Sequence, residues 1–349
     1  MQQLLRQSWG RRGFLPCLLL PVAALYGTLA ALRRQFFRWQ WQASRRVSVP
    51  VVIVGNVVVG GSGKTPVTIA LVEHLTATGW RVGVVSRGYG RSSNDCLEVT
   101  TATTPQDVGD EPLLIQQKTG VSVFVGPSRY EAASALLKRY PQTQVLLCDD
   151  GLQHYGLFRD VEICVFDDRG CGNGWLLPSG PLRESWPRTL VATCGQTSAT
   201  TLALHTGQSP KFFGLRGCRS LASFGIRKNG DQVLLSDLAA PGSLPLIALA
   251  GTGQPEEFFA MLRSQGLVLH DTLALSDHYD FDSWSRKLHK GYNLICTEKD
   301  ATKLWCVDPD AIAVPLIFEL EAAFWQQFVP LLQAASAAKL SFSYGHSTT

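Results

Sequence analysis

The chain has 349 residues, more than one hydrophobic core usually carries, so two lobes are expected. Its 45% hydrophobic and 17% charged residues are ordinary for a globular protein, and a net charge of +4 is too small to predict a nucleic-acid-binding protein. The nine cysteines are odd in number and include no Cys-x-x-Cys pair. A disulfide framework and a zinc site are therefore disfavoured, and a reducing cytosol fits better.

The N-terminal segment, residues 1–46, is predicted to associate with a membrane. Residues 14–32 carry no charge, and their length is close to the ~20 apolar residues that span a bilayer, although Pro16 and Pro21 shorten any unbroken helix. A cleaved signal peptide and a buried core helix are the alternatives, and the pattern leaves open whether the helix spans the membrane or lies on it. The flanking residues suit an anionic headgroup region; they are Arg6, Arg11, Arg12, Arg33, Arg34, Phe36, Phe37, Arg38, Trp39, Trp41, Arg45 and Arg46.

From Val47 onwards, short apolar runs alternate with helical patterns. Near-continuous apolar strands separated by helices predict a mostly parallel sheet with helices on both faces, an α/β core. Strands are predicted at 49–55, 81–86, 121–125, 145–148 and 161–166, and a helix at 64–78.

A second series predicts a smaller α/β C-terminal lobe. Strands are predicted at 246–250, near Leu267 and at 293–296, with helices at 255–265 and near 282–289. Residues 192–245 are polar and give a weak signal, so the boundary between a core (47–215) and a C-terminal lobe (216–349) is placed there. Shared strands between the lobes are compatible with this pattern.

A glycine-rich loop with a phosphate-binding composition lies between the first strand and its helix. Glycines allow backbone N–H groups to approach phosphate oxygens at a helix N-terminus. Lys64 can reach the β- and γ-phosphates of ATP, and the Thr65 hydroxyl is placed for Mg²⁺. Position 58, where the usual pattern has glycine, is valine. The predicted nucleotide-binding residues are Val58, Val59, Gly60, Gly61, Ser62, Gly63, Lys64 and Thr65.

The segment GNVVVGGSGKTP at 55–66 resembles the loop of the tetraacyldisaccharide 4'-kinase family, and further blocks follow in the family's order. The family's usual GIGNP reads GTGQP at 251–255, and its paired histidine reads His278-Tyr279. The further blocks are SRGYG at 86–90, GDEP at 109–112, DDGLQHY at 149–155, GNGWLLPSGPLRE at 172–184, SDHYDF at 276–281 and TEKDATKL at 297–304.

The resemblance implies a P-loop NTPase-like fold with a membrane-associated N-terminal helix. It implies transfer of the γ-phosphate of ATP, with Mg²⁺, to the 4'-hydroxyl of a tetraacyldisaccharide 1-phosphate in lipid A biosynthesis. The expected location is the inner membrane, with the kinase domain on the cytoplasmic face.

Acidic residues supply the candidate metal ligands and base. Asp149 and Asp150 end an apolar strand, at the sheet edge where such folds bind ligands, and a carboxylate there can hold Mg²⁺. A solvated Asp-Asp-Gly turn is the alternative. Asp149 and Asp150, together with Thr65 and Glu111, form the predicted set of metal ligands.

The resemblance implies that Asp110 is the catalytic base and that His278 is its partner from the other lobe. A capped turn is the alternative for Asp110.

Four residues are predicted to contact the acceptor: Arg87, Gln153, Asn173 and Arg183. A guanidinium group suits the anomeric phosphate that the family's acceptor carries, and Asn173 suits sugar hydroxyls, although surface and ion-pair roles are alternatives for each arginine. The TEKD segment at 297–300 is expected near the adenine end of the cleft.

A membrane-tethered nucleotide switch or partition-type ATPase is the alternative function. A switch GTPase needs a D-x-x-G segment, but Gly151 follows Asp150 directly. A partition ATPase carries a second lysine in its loop, where this chain has Val59. Both features favour the kinase.

Overall fold

The computed structural model describes residues 8–39, 41, 44–188, 199–276, 279–281, 284 and 290–345. Two N-terminal helices, α1 (Phe14–Leu18) and α2 (Leu20–Arg38), come first. The helix α2 lies against the main body, where the Tyr26 hydroxyl donates to the Arg183 carbonyl (2.9 Å). In the part of the chain described, no helix has both the length and the apolar character needed to cross a membrane.

The larger sheet has nine strands in the order β15-β8-β7-β6-β1-β5-β2-β4-β3. All neighbours are parallel except the pairs at its two edges, β3 with β4 and β8 with β15. The predicted mostly parallel sheet is confirmed. Its strands are β1 (Val51–Gly55), β2 (Val82–Ser86), β3 (Leu97–Val99), β4 (Ser122–Val125), β5 (Val145–Asp149), β6 (Val161–Phe166), β7 (Thr200–His205), β8 (Leu215–Leu221) and β15 (Leu316–Leu320).

Helices cover both faces of this sheet, because side chains of successive strand residues point to opposite faces. Val52 and Val54 of β1 enter one core, and Val51 and Ile53 enter the other; all four are fully buried. The first core contains α3, α5 and α10, and the second contains α6. The helices of this body are α3 (Lys64–Ala77), α4 (Pro105–Val108), α5 (Asp110–Thr119), α6 (Arg129–Arg139) and α10 (Ala322–Gly345).

The smaller lobe is built on a six-stranded sheet in the order β10-β9-β14-β13-β11-β12. Its central strands are parallel, and β9 and β10 add an antiparallel edge. Its elements are β9 (Phe224–Ile226), β10 (Gln232–Leu234), α7 (Leu235–Leu238), β11 (Leu246–Ala250), α8 (Pro255–Ser264), β12 (Leu269–Ala274), β13 (Asn293–Thr297), α9 (Glu298–Val307) and β14 (Ile312–Val314).

The predicted boundary at 215/216 does not match the division of the chain between the sheets. After β14 the chain returns to the larger sheet as β15, and α10 places Phe324 and Phe328 in the same core as β1. The smaller lobe is therefore an insertion, joined to the larger body through β8 and β15. The helix expected near 282–289 lies almost entirely outside the described residues.

Candidate active site

The phosphate loop leaves the buried carboxyl end of β1 and enters α3. Gly60 and Gly63 have φ values of +103° and +78°, which glycine adopts without steric cost. Ser62 is almost fully buried, and its hydroxyl has no partner among the described residues. Lys64 begins α3 and extends its ammonium group to 3.7 Å from Asp150 Oδ1. The loop therefore presents glycine backbone, a hydroxyl and a cation at a helix N-terminus.

The valine at position 58 has a structural explanation. Val58 is buried in the core and pairs with Leu182 through an isolated bridge, while the Val59 N–H donates to the Pro181 carbonyl (2.9 Å). The Val58 side chain therefore packs in the core, and its predicted contact with the nucleotide stays a prediction. The Val59 N–H is already engaged, although Val59 lines the cleft. Gly60 is the first glycine of the loop.

Asp149, at this edge of the sheet, has a strongly raised pKa. It ends β5, beside β1, and is fully buried; Thr68 of α3 donates to its Oδ1 (3.1 Å), and its Oδ2 has no partner among the described residues. Burial, followed by the nearby charges of Glu111 and Asp150, raises its pKa to about 7. A carboxylate oxygen that is buried and unbonded requires a cation or a proton.

Asp150 occupies a strained position beside it. Its φ is +47°, unusual for a residue with a side chain. Its carboxylate lies 3.7 Å from Lys64 Nζ and 3.7 Å from an Arg183 guanidinium nitrogen. The turn therefore places the Asp150 carboxylate between the lysine of the phosphate loop and Arg183, where it faces the cleft.

The donor set fits a magnesium ion. Mg²⁺ is held by one or two carboxylates together with phosphate oxygens and water, and Thr65, Asp149, Asp150 and Glu111 offer oxygen donors only. In the described part of the chain, no group of three or more His, Cys, Asp or Glu side chains is arranged to hold a metal by itself. Such a partial site suits a metal that arrives with a nucleotide.

Asp110 is the first residue of α5 and is almost fully buried. It follows Gly109, where a Cβ would lie 2.9 Å from the Tyr89 carbonyl, so that this approach requires glycine. Its carboxylate forms an ion pair with Lys303 of α9, at 2.8 Å. The sequence did not predict Lys303 as a site residue. It lies on a helix of the smaller lobe, and nothing in the residues around it indicates a contact with Asp110. His278 lies outside the described residues, so its predicted role stays a prediction.

A cleft of about 1320 Å³ opens between the phosphate loop and the smaller lobe. Arg87, Gln153 and Arg183, which are predicted to contact the acceptor, line it; the contact itself stays a prediction. Arg129 also lines the cleft; it is nearly buried, and its Nε and Nη1 have no partner among the described residues. A second cavity of about 340 Å³ extends from the loop between α3, α8 and β15, and its wall includes residues 297–299 of the TEKD segment.

The side chain of Asn173 forms hydrogen bonds within its own loop. It is buried; its amide nitrogen donates to the Ser179 carbonyl (2.9 Å), and its Oδ1 accepts from the Trp175 N–H (3.0 Å). Both polar atoms therefore stabilise the fold of its own loop, and its predicted contact with sugar hydroxyls stays a prediction. Tyr26 and Arg33 of α2 also line the cleft, and sequence reasoning missed them because the segment 1–46 was assigned to the membrane.

His154 also lines the cleft. Burial, followed by the positive charges of Arg129 and Arg87, lowers the pKa of its imidazole to about 4. The ring is therefore neutral at physiological pH, and can donate one hydrogen bond and accept another.

A glycine-rich loop, a lysine and an acidic strand end, on a mostly parallel sheet, define a nucleotide-binding protein with a P-loop NTPase-like core. The model of the family described as tetraacyldisaccharide-1-P 4'-kinase matches residues 15–335. The chain belongs to this family.

Two curated relatives and one solved structure match this chain over nearly its whole length. The tetraacyldisaccharide 4'-kinase of Polaromonas naphthalenivorans is 50% identical over 100% of both chains, and that of an Acidovorax strain (JS42) is 49% identical over 96% of each. The crystal structure of Aquifex aeolicus LpxK, described as an apo form in complex with ATP, has 26% identity and a TM-score of 0.75, covering 92% of this chain and 99% of that one.

Proposed function

We propose that this chain transfers the γ-phosphate of ATP to the 4'-hydroxyl of a tetraacyldisaccharide 1-phosphate. The observation that carries the proposal is that the phosphate loop shares one cleft with several guanidinium groups. Lys64 and the loop glycines lie on one side, and Arg87, Arg129 and Arg183 line the rest. Two phosphorylated molecules have to meet in this reaction, and both need cationic groups.

In the proposed mechanism, the 4'-hydroxyl oxygen attacks the γ-phosphorus while Asp110 accepts the hydroxyl proton. The bond between the γ-phosphorus and the β–γ bridging oxygen breaks, and ADP leaves. Lys64 neutralises charge on the β- and γ-phosphates. The ion pair with Lys303 holds the Asp110 carboxylate at the entrance of α5.

Magnesium is the proposed cofactor. Thr65, Asp149, Asp150 and Glu111 would hold it, and when bound it would supply positive charge to the phosphate oxygens. The unpartnered Oδ2 of Asp149 supports this assignment.

The acceptor's 1-phosphate is proposed to lie against the arginines of the cleft. Arg183 is partly buried, and its guanidinium group lies 3.7 Å from the Asp150 carboxylate, at the wall of the cleft. Gln153 is held in place, since its amide donates to the Asn56 carbonyl (3.0 Å) and to Glu184 (2.8 Å).

We further propose that α1 and α2 lie at the surface of the inner membrane, with the kinase body on the cytoplasmic face, where ATP is available. The helices expose apolar side chains to solvent, including Phe14 (86%), Leu18 (63%), Leu25 (62%) and Leu29 (58%). An exposed apolar face next to basic residues suits an interfacial helix on anionic lipid. Tyr26 and Arg33 on the same helix line the cleft, which would bring the acceptor's sugar from the lipid surface to the loop.

The transfer reaction is tested directly with purified full-length protein, Mg²⁺, γ-labelled ATP and tetraacyldisaccharide 1-phosphate in detergent. The proposal predicts a labelled lipid that carries its new phosphate at the 4'-position. ATP hydrolysis that is unaffected by the acceptor, with no labelled lipid, would instead support the switch or partition-type ATPase.

The membrane proposal is tested by flotation with anionic vesicles. The double variant Leu25→Glu/Leu29→Glu should lose most vesicle binding and keep transfer to detergent-dispersed acceptor. Val268→Glu is the matched control, because Val268 is 84% exposed but lies on the smaller lobe. Equal binding by the wild type and both variants would place the membrane contact elsewhere.

A further inference from the structure

The carbonyl groups of the phosphate loop are held by side chains, most of them from distant parts of the sequence. Asn56 Nδ2 donates to the Gly60 carbonyl (3.2 Å), and Arg169 donates to the carbonyls of Val59 (3.5 Å) and Gly61 (2.9 Å). Every carbonyl from Val59 to Ser62 accepts such a bond, and these four oxygens are here called the carbonyl side of the loop.

The Ser62 carbonyl receives two donors. Arg219 Nη2 donates to it at 3.1 Å, and the Thr206 hydroxyl donates to it at 3.1 Å. Arg219 comes from β8 and is mostly buried. It is close enough that a Cβ at Gly63 would lie 2.2 Å from Arg219 Nη2, so the loop and the guanidinium group fit together only with glycine there.

Holding the carbonyl side sets the direction of the N–H groups. In a trans peptide the C=O of one residue and the N–H of the next point in opposite directions. Fixing the Ser62 carbonyl therefore directs the Gly63 N–H towards the opposite side, where the phosphates are expected. Among the described residues, no backbone acceptor takes the N–H groups of residues 60–63.

These anchors are tied to the smaller lobe. Arg219 Nη1 donates to Glu257 of α8 at 2.6 Å. In the amide orientation that satisfies both atoms, Gln254 donates to Glu257 and accepts from Arg169 Nε (3.2 Å). Backbone contact adds to this, since a Cβ on Gly253 would lie 2.8 Å from Gly61 N. The GTGQP segment thus rests directly on the phosphate loop.

We propose that Arg219 is a positioning residue for the nucleotide β-phosphate, and that Glu257 acts through it. Arg219 holds the Ser62 peptide so that the loop is ready to bind phosphate, and Glu257 fixes the guanidinium group from the smaller lobe. The affinity of the loop for the β-phosphate then depends on the position of α8, which carries Glu257. A guanidinium group suits this role because its two terminal nitrogens divide the bonds: Nη2 donates to the Ser62 carbonyl and the Thr206 hydroxyl, and Nη1 donates to Glu257. An ammonium group has all its donors on a single nitrogen.

The experiment measures the affinities of ATP, ADP and AMP for full-length Arg219→Ala. ATP and ADP should each bind about tenfold more weakly, whereas AMP, which has no β-phosphate, should change less than about twofold. The KM for the lipid acceptor should also stay within about twofold. Arg216→Ala is the matched control, since Arg216 lies on the same strand and donates to the Gln208 carbonyl (3.1 Å), away from the loop.

Equal weakening of all three nucleotides would show a general structural role and overturn the proposal, as would unchanged binding of ATP and ADP. If Arg219→Ala does not fold, Arg219→Lys and Glu257→Gln carry the same test, with losses of about threefold for ATP and ADP only.

The role of Glu257 is tested by the double variant Arg219→Ala/Glu257→Gln. It should bind ATP no more weakly than Arg219→Ala, because Glu257 acts through Arg219. Losses that multiply would show that Glu257 acts independently.

Discussion

The two sides of the phosphate loop depend on different parts of the sequence. The amide side, which faces the cleft, is formed by adjacent residues from Gly60 to Thr65. The carbonyl side is held by Asn56, Arg169, Thr206 and Arg219, of which the last three lie more than a hundred positions away. We propose that the amide side contains the groups that touch the nucleotide and that the carbonyl side sets their orientation. Substitutions on the two sides should therefore affect different steps.

The largest effect is expected on the amide side, at Lys64. Lys64→Ala removes the cation nearest the phosphates and should lower kcat/KM by about a thousandfold or more, at an unchanged melting temperature. Steady-state kinetics and thermal unfolding measure both. A variant that keeps a tenth of the activity, a cost of only about 1.4 kcal/mol, would show that this loop is not the site of transfer.

A somewhat smaller loss is expected for the proposed base. Asp110→Asn should lower kcat by about a hundredfold with little change in the KM for ATP, because proton transfer is lost while nucleotide binding is kept. Asp107→Asn is the control, since Asp107 lies in the same segment but caps α4. An Asp110→Asn variant with wild-type kcat would return Asp110 to a structural role.

On the carbonyl side, Arg169→Ala should raise the KM for ATP about fivefold, the effect of about 1 kcal/mol, and change kcat little. The effect is moderate because Arg169 is 38% exposed and one of its two bonds to the loop is long, at 3.5 Å. Arg263→Ala, on the exposed surface of α8, is the control. A large fall in kcat with an unchanged KM would contradict the division between the two sides.

The smallest expected effect concerns stability. Burial raises the pKa of Asp149 to about 7 in the folded chain, from the value of 3.8 that an aspartate has when it is exposed to water. The folded state thus holds this proton more tightly than the unfolded state, and the free energy of unfolding falls as pH rises from about 4 to about 7. Asn does not titrate, so Asp149→Asn should raise the melting temperature at pH 8, by about 1–2 °C for each kcal/mol recovered in a chain of this length.

Arg219→Ala should change the melting temperature in the opposite direction, because it removes satisfied hydrogen bonds. Thermal unfolding without nucleotide, at pH 5 and pH 8, measures both variants. The advantage of Asp149→Asn should be larger at pH 8. A destabilised Asp149→Asn at pH 8 would show that Asp149 supports the fold instead of a bound cation.

The sequence predicted the elements whose signal is local. The buried strands β1, β2, β4, β5 and β6 read as apolar runs, and the phosphate loop and the acids after β5 follow from motif and position. The polar stretch after residue 199 was less informative, since strands such as β8 alternate exposed and buried residues and have weak apolar patterns. The return of the chain to the larger sheet, through β15 and α10, depends on pairing between distant segments, which no local pattern encodes.

The candidate site residues divide in the same way, into those that a local pattern indicates and those that only the folded chain brings together. Lys64 and Asp149 are marked by their neighbours in sequence. Arg219 reaches the loop from a strand more than a hundred positions away, and Lys303 reaches Asp110 from the smaller lobe. Asn173 is the reverse case: a polar residue between glycines suggests a ligand contact, whereas the hydrogen bonds that its side chain forms stabilise a tight loop.

A structure of the full-length protein with a non-hydrolysable ATP analogue and Mg²⁺ tests the central claim most directly. The account predicts the β-phosphate against the N–H groups of residues 60–64, with the bonds to all four carbonyls of the carbonyl side kept and Arg219 still bonded to Ser62. Phosphates bound away from this loop, or a loop whose carbonyls have turned away from Arg169 and Arg219, would contradict it.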